Sequence, residues 1–172
     1  MTSRAEAPVR LPEPERVEAL FTKLLGQPVE VGPARPVTPG PATPAAVSVH
    51  GHGGALADLL VAWDLPLAAY AAAAIAVAPV SDAEDCVAAG RLTPMLAENL
   101  HEVADIAGST FEVAGRDRPR LQALYLPGEP LPPRVAALVL TLGRRADHGL
   151  TIAGYGTGRL SAVLLPAPTS TA

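Results

Sequence analysis

Apolar residues recur at helical spacing most clearly between residues 92 and 111, in the segment LTPMLAENLHEVADIAGSTF. On a period of about 3.6 residues, one side of this segment is apolar and the opposite side is polar and acidic. The apolar side comprises Leu92, Leu96, Leu100, Val103, Ala107 and Thr110. The polar side comprises Glu98, Glu102, Asp105 and Ser109. Because Thr93 suits an N-cap, Pro94 the first helical position and Gly108 the end, the pattern predicts one amphipathic helix with exposed carboxylates.

Three other segments predict shorter helices. The first begins at Glu13, has apolar residues at helical spacing up to Leu25 and is closed by Gly26. The second is the alanine-rich segment 65–78, which is able to lie close against a neighbouring element. The third runs over residues 81–89, with Ser81 as its expected cap and Gly90 at its end.

Extended structure is predicted between the first helix and the alanine-rich helix, and again after the long helix. Residues 46–50 and 55–63 are separated by the segment GHGG and predict a hairpin. Residues 150–155 and 159–165, joined by Gly156, Thr157 and Gly158, predict a second hairpin. Single strands are expected within 28–36 and 120–126. The proline-rich segment 33–44, which leads into the first hairpin, predicts a stiff surface loop. Residues 135–142 are uniformly apolar, which fits a buried strand or a buried helix, and we favour the strand.

The order of these elements predicts an α+β fold, a largely antiparallel sheet with helices packed on one face. We expect a disordered N-terminal arm over residues 1–12, a single domain over 13–165 and a flexible tail over 166–172.

Composition and charge narrow the range of partners. Aromatic residues make up 3% of the 172 residues and the formal net charge is −4, so the chain lacks both the basic field and the stacking side chains that nucleic acids require. Cys86 is the single cysteine and the first residues do not resemble a signal peptide. The longest apolar run, 65–80, is broken by Pro66 and Pro79, so we expect a cytoplasmic protein without a membrane segment.

His50 and His52 share one face of a predicted strand, a spacing that metal sites use. Zinc sites normally recruit three or four protein ligands, and no further histidine or cysteine stands nearby in the sequence. We therefore interpret the two residues as histidines at the end of a hairpin and predict no metal site.

The phrase ENLHEVADIAG in the long helix, together with the order of elements around it, resembles the CheC/CheX/FliY family of chemotaxis and flagellar-switch phosphatases. The family's signature is a Ser or Asp, three residues, a Glu, two residues, an Asn, and a Pro a little over twenty residues later. Those places are occupied here by Glu98, Glu102, Asp105 and Pro127. The first helix carries no second copy of the motif, so the resemblance implies a single site, as in the CheX type.

The resemblance implies that the chain acts on the aspartyl phosphate of a CheY-like receiver domain. Glu102 and Asp105 would be the catalytic residues. Glu102 would form an ion pair with a lysine of the partner, and residue 105 would orient the attacking water. Glu98, Asn99 and Ser109 would contact the partner. The chain would need no cofactor of its own, because Mg²⁺ would come from the receiver domain, and homodimerisation would be expected.

Asp105 stands where the family has an asparagine, and three functional hypotheses are open. In the first, the chain is a chemotaxis accessory domain that binds a receiver domain and dephosphorylates it, with Asp105 as a working base. In the second, it is an inactive binding or dimerisation module of the same fold, and the acidic side of the helix is only a solvated surface. In the third, it is an unrelated α+β interaction domain whose resemblance to the family is accidental.

Overall fold

The computed structural model describes residues 11–51, 57–108 and 119–165. Within these ranges the chain forms five helices and six strands. The helices are α1 (Pro14–Leu25), α2 (Leu65–Ile75), α3 (Val80–Ala89), α4 (Pro94–Ala107) and α5 (Pro133–Val139). The strands are β1 (Val29–Pro33), β2 (Ala45–Gly51), β3 (Leu59–Asp64), β4 (Arg120–Tyr125), β5 (Arg145–Ile152) and β6 (Gly156–Leu164).

All six strands belong to one antiparallel sheet with the order β1-β5-β6-β3-β2-β4. Side chains alternate between its two faces. Leu59, Val61 and Trp63 of β3 point into the larger core, which also contains the buried residues of α1 to α4. The ring of Trp63 meets that of Phe21 edge-on at 6.0 Å between centroids. The predicted α+β class and antiparallel sheet are confirmed, with four helices on one face.

The opposite face of the sheet carries a smaller core, and α5 covers it. Val135, Leu138 and Val139 of α5 pack against sheet residues such as Leu60 and Val163. The preference for a strand over residues 135–142 is therefore wrong. Pro133 occupies the first turn of the helix. The apolar residues that face the sheet are spaced three and four apart, as in a helix, but the residues between them are also apolar, so the sequence shows no helical period.

The proline-rich segment before β2 is not wholly a surface loop, because Val37 is only 2% exposed within the smaller core. Its backbone N–H donates to Ser161 Oγ at 2.8 Å. Ser161 in turn donates to Asp147 Oδ1 at 2.6 Å, and Arg145 Nη2 reaches the same oxygen at 2.8 Å. This largely buried chain of hydrogen bonds links the segment to β5 and β6.

The predicted hairpin of β2 and β3 is confirmed, with partners running from Ala45 opposite Asp64 to His50 opposite Leu59. The second predicted hairpin is also present as β5 and β6, but its turn lies earlier, at residues 153–155, with Gly154 at a φ of +80°. The predicted cap of α3 is wrong: Pro79 occupies the N-cap position and no side chain caps the helix. Among the described helices, none has the length and apolar character that a membrane span requires.

Gly156 and Gly158 lie inside β6 because α2 passes directly over them. A Cβ on Gly158 would lie 2.6 Å from Leu67 Cα, and one on Gly156 would lie 2.7 Å from the ring of Tyr70. Asp64 fixes the start of α2 at this place: its Oδ1 accepts from the backbone N–H of Leu67 at 2.9 Å and from that of Arg159 at 3.0 Å. The glycines thus permit a close contact between helix and sheet.

We predict that Gly158→Ala lowers the free energy of unfolding by about 1–3 kcal/mol, because the added methyl group forces the backbone of α2 away from the sheet. Gly149→Ala on the neighbouring strand is the matched control, since its Cβ would meet the Cβ of Ala34 at an ordinary 3.5 Å. Urea denaturation of both variants checks this expectation. Equal losses of stability would show that the close contact is not a constraint.

Candidate functional site

Helix α4 presents one face to the core and the other to solvent. Thr93 Oγ1 accepts the backbone N–H of Leu96 at 3.3 Å and Pro94 opens the helix, as the sequence predicts. The core face comprises Leu96, Leu100, Val103, Ala104 and Ala107. The helix ends at Ala107, with Gly108 as its cap, so the helix described is shorter than the predicted 92–111. The remaining predicted positions from Ser109 onward lie outside the described residues.

Glu98, Glu102 and Asp105 form an exposed acidic face on α4. Within ranges 11–51, 57–108 and 119–165, none of the three carboxylates makes a hydrogen bond or an ion pair. The helix carries no lysine or arginine. Glu102 and Asp105 are three residues apart and therefore lie side by side on the helix surface. The geometry brings the two sequence-predicted catalytic residues together on the exposed side of the helix.

Asn99 is half-buried beside this acidic face. Its amide Nδ2 donates to the carbonyl oxygen of Ala72 in α2 at 3.1 Å. This hydrogen bond joins α4 to α2, so the Asn99 side chain helps to hold α4 in place. A contact between Asn99 and a partner remains a prediction, and the structure does not describe Ser109.

Pro127, the last position of the family motif, is buried two residues after the end of β4. The backbone N–H of Glu129 donates to the carbonyl of Leu126 at 3.0 Å, and Gly128 between them has a φ of +88°. A proline followed by a glycine at positive φ is typical of a type II turn. Pro127 therefore shapes the turn that ends β4 next to α4.

A shallow groove of about 560 Å³ separates α4 from β4. It is lined by Ala97, Glu98, His101, Leu124 and Leu126, and we call it the α4–β4 groove. Glu98 belongs both to this groove and to the acidic face. The groove joins residues more than twenty positions apart in the chain, so the sequence contains no local pattern that predicts it.

His50 is fully buried in β2, close to the end of α4. Its Nε2 lies 2.9 Å from Ser48 Oγ, which also accepts the Nε1–H of Trp63 at 3.1 Å. Nδ1 has no hydrogen-bond partner in the described part of the chain, and a Cβ on Gly108 would approach it to 2.7 Å. Burial lowers the pKa of His50 to about 4, and the nearby charge of Asp105 opposes part of this shift. At neutral pH the imidazole is therefore uncharged.

His50 is thus a core residue, whereas the sequence suggested only a histidine at the end of a hairpin. His52, its proposed companion, lies outside the described residues. In the part of the chain that the structure describes, no three His, Cys, Asp or Glu side chains come together as metal ligands would.

No protein-family model and no curated protein matches the sequence. Among solved structures, the chain is similar to FliY of Thermotoga maritima at 12% identity, covering 87% of this chain and 82% of that one with a TM-score of 0.46. It is similar to the FliM middle domain of H. pylori at 10% identity, 88% and 84% coverage and a TM-score of 0.46. It is also similar to the chemotaxis protein CheX of Desulfovibrio desulfuricans at 13% identity, 88% and 95% coverage and a TM-score of 0.33.

FliY and CheX are among the names of the family that the long helix resembles. At such identities the likeness concerns the fold and not the activity.

We predict that His50 makes stability depend on pH between about 6.5 and 4. In this range the unfolded chain binds a proton at His50 and the folded chain does not. The contribution of the neutral imidazole to the free energy of unfolding is therefore present above pH 6.5 and is lost as the pH falls through the folded pKa. The loss amounts to at most about 1.4 kcal/mol per pH unit. The difference in unfolding free energy between wild type and His50→Gln should therefore shrink on acidification. His101→Gln, at an exposed position, is the control. Parallel curves for wild type and His50→Gln would contradict the prediction.

Proposed function

We propose that the chain is a chemotaxis or motility accessory domain of the CheX type whose acidic face on α4 docks on a CheY-like receiver domain. The observation that carries this proposal is the set of three carboxylates on the outer face of α4, none of which is paired with another residue that the structure describes. Because the inner face of the helix is buried and Asn99 anchors it to α2, these charges are held in a fixed arrangement. A rigid helix face is suited to entering a partner's site as a unit.

The phosphorylated site of a receiver domain supplies most of what hydrolysis needs. Its Mg²⁺ ion and a lysine stabilise the charge on the aspartyl phosphate, so this chain has only to bind, orient and position water. In the proposed complex Glu102 pairs with the lysine of the partner, and Asp105, one turn further along the same face, lies beside the phosphoryl group. Glu98 extends the acidic face toward the rim of the interface.

Asp105 determines how much turnover the complex supports. A carboxylate at about 4 Å from a phosphoryl group is repelled by roughly 1–4 kcal/mol over plausible dielectric constants. His50 is the buried imidazole nearest to the end of α4, and it is neutral at pH 7, so it does not cancel this negative charge. We therefore propose binding as the primary function, with hydrolysis limited by Asp105. Homodimerisation, which the family resemblance implies, is part of the same proposal.

The test follows the decay of a cognate receiver domain phosphorylated by a small phosphodonor, with wild type and variants at equal concentrations. We expect Asp105→Asn to accelerate the decay, because the amide removes the repulsion while it still binds water, and Glu102→Ala to abolish the effect. Glu84→Ala removes an exposed carboxylate from α3 and is the matched control.

Two results would change the proposal. If wild type accelerates the decay and Asp105→Asn slows it, Asp105 is a working base and the chain is an active phosphatase. If the decay is unchanged by every form and wild type does not bind the receiver domain, the acidic face is a solvated surface and the proposal is wrong.

A further inference from the structure

We propose that the α4–β4 groove is the specificity pocket of this docking surface. It would receive an aliphatic side chain from the partner, while a lysine or arginine next to that side chain pairs with Glu98. This inference rests on the proposed function, because the same helix forms one wall of the groove and carries the acidic face.

The floor of the groove is apolar, and the part of the chain that the structure describes covers it incompletely. Leu124 lies in β4 and Leu126 directly after it, and both pack on the helix-covered side of the sheet. Both are half-buried and pack against the larger core. The helix above them presents Ala97, whose short side chain leaves the space between the two elements unfilled. An aliphatic side chain of a partner would complete the burial of these leucines.

The charge around the groove selects the chemistry of the occupant. Glu98 stands at the wall of the groove, Glu102 and Asp105 follow on the adjoining surface of α4, and the helix contains no cationic lysine or arginine. A partner that brings an apolar side chain together with a positive charge is therefore complementary to both parts of the surface. An acidic or wholly polar segment would lose affinity at the same place.

The shape of the groove favours a side chain of a protein over a free small molecule. Its described lining residues come from one side of α4 and from the end of β4 and the residue after it, so the groove is an open trough and not an enclosed cavity of the kind that buries most of a small ligand. The groove is also continuous with the acidic face through Glu98. A receiver domain that reaches Asp105 would therefore lie over the groove at the same time.

The experiment fills the groove without altering the acidic face. Ala97→Phe places an aromatic ring over Leu124 and Leu126, and Ala88→Phe makes the same change at an exposed position of α3. The affinity of each form for the cognate receiver domain, activated with beryllofluoride, is measured by calorimetry. We expect Ala97→Phe to weaken binding about tenfold or more, and Ala88→Phe to bind as wild type does. Amide NMR spectra of wild type should show shifts at Ala97, His101 and Leu124 on addition of the receiver domain.

The possible failures of the two proposals are distinguishable. If wild type does not bind the receiver domain, the proposed function fails and the groove inference fails with it. If wild type binds with amide shifts on the acidic face, but Ala97→Phe binds equally well, docking stands and the groove inference is overturned. If thermal unfolding shows that Ala97→Phe disturbs the fold, Leu124→Ser replaces it, and undiminished affinity of that variant overturns the inference equally.

Discussion

The close packing of α2 against the sheet is the constraint on which the remaining structure depends. Its six buried alanines and the two glycines of β6 bring the helix and sheet backbones close together, and Asp64 fixes the start of the helix through Leu67 and Arg159. Helix α4 then packs on α2, with the amide of Asn99 bound to the carbonyl of Ala72. The position of the acidic face is therefore set by small residues that are distant from it in the sequence.

Elements with strong local signals could be predicted from the sequence, and elements that depend on distant contacts could not. The cap at Thr93 and the proline after it correctly marked the start of α4, because both act within one turn. Gly156 and Gly158 were assigned to a turn, since a glycine serves equally where φ is positive and where a Cβ has no room. Only the approach of α2 distinguishes these two uses. Residues 135–142 lacked a visible period, and the smaller core decided their conformation.

The same division holds for the candidate site. The exposure of Glu98, Glu102 and Asp105 followed from the helical period alone. The half-burial of Asn99 and the complete burial of His50 did not, because their partners come from other elements of the fold. The α4–β4 groove is also a product of tertiary packing. The sequence therefore identified which face of the helix is available to a partner, and the structure showed what holds that face and what adjoins it.

The central claim is that Glu102 meets a positive charge of a receiver domain, and a charge exchange between the two proteins tests it most directly. Glu102→Lys is combined with a receiver domain in which the lysine of the phosphorylation site is replaced by glutamate. The affinities of all four pairings of wild-type and variant proteins are measured. The account predicts that each single reversal weakens binding and that the double reversal recovers affinity, with a coupling above about 1 kcal/mol. Additive losses, with no recovery in the double reversal, would contradict a contact at Glu102.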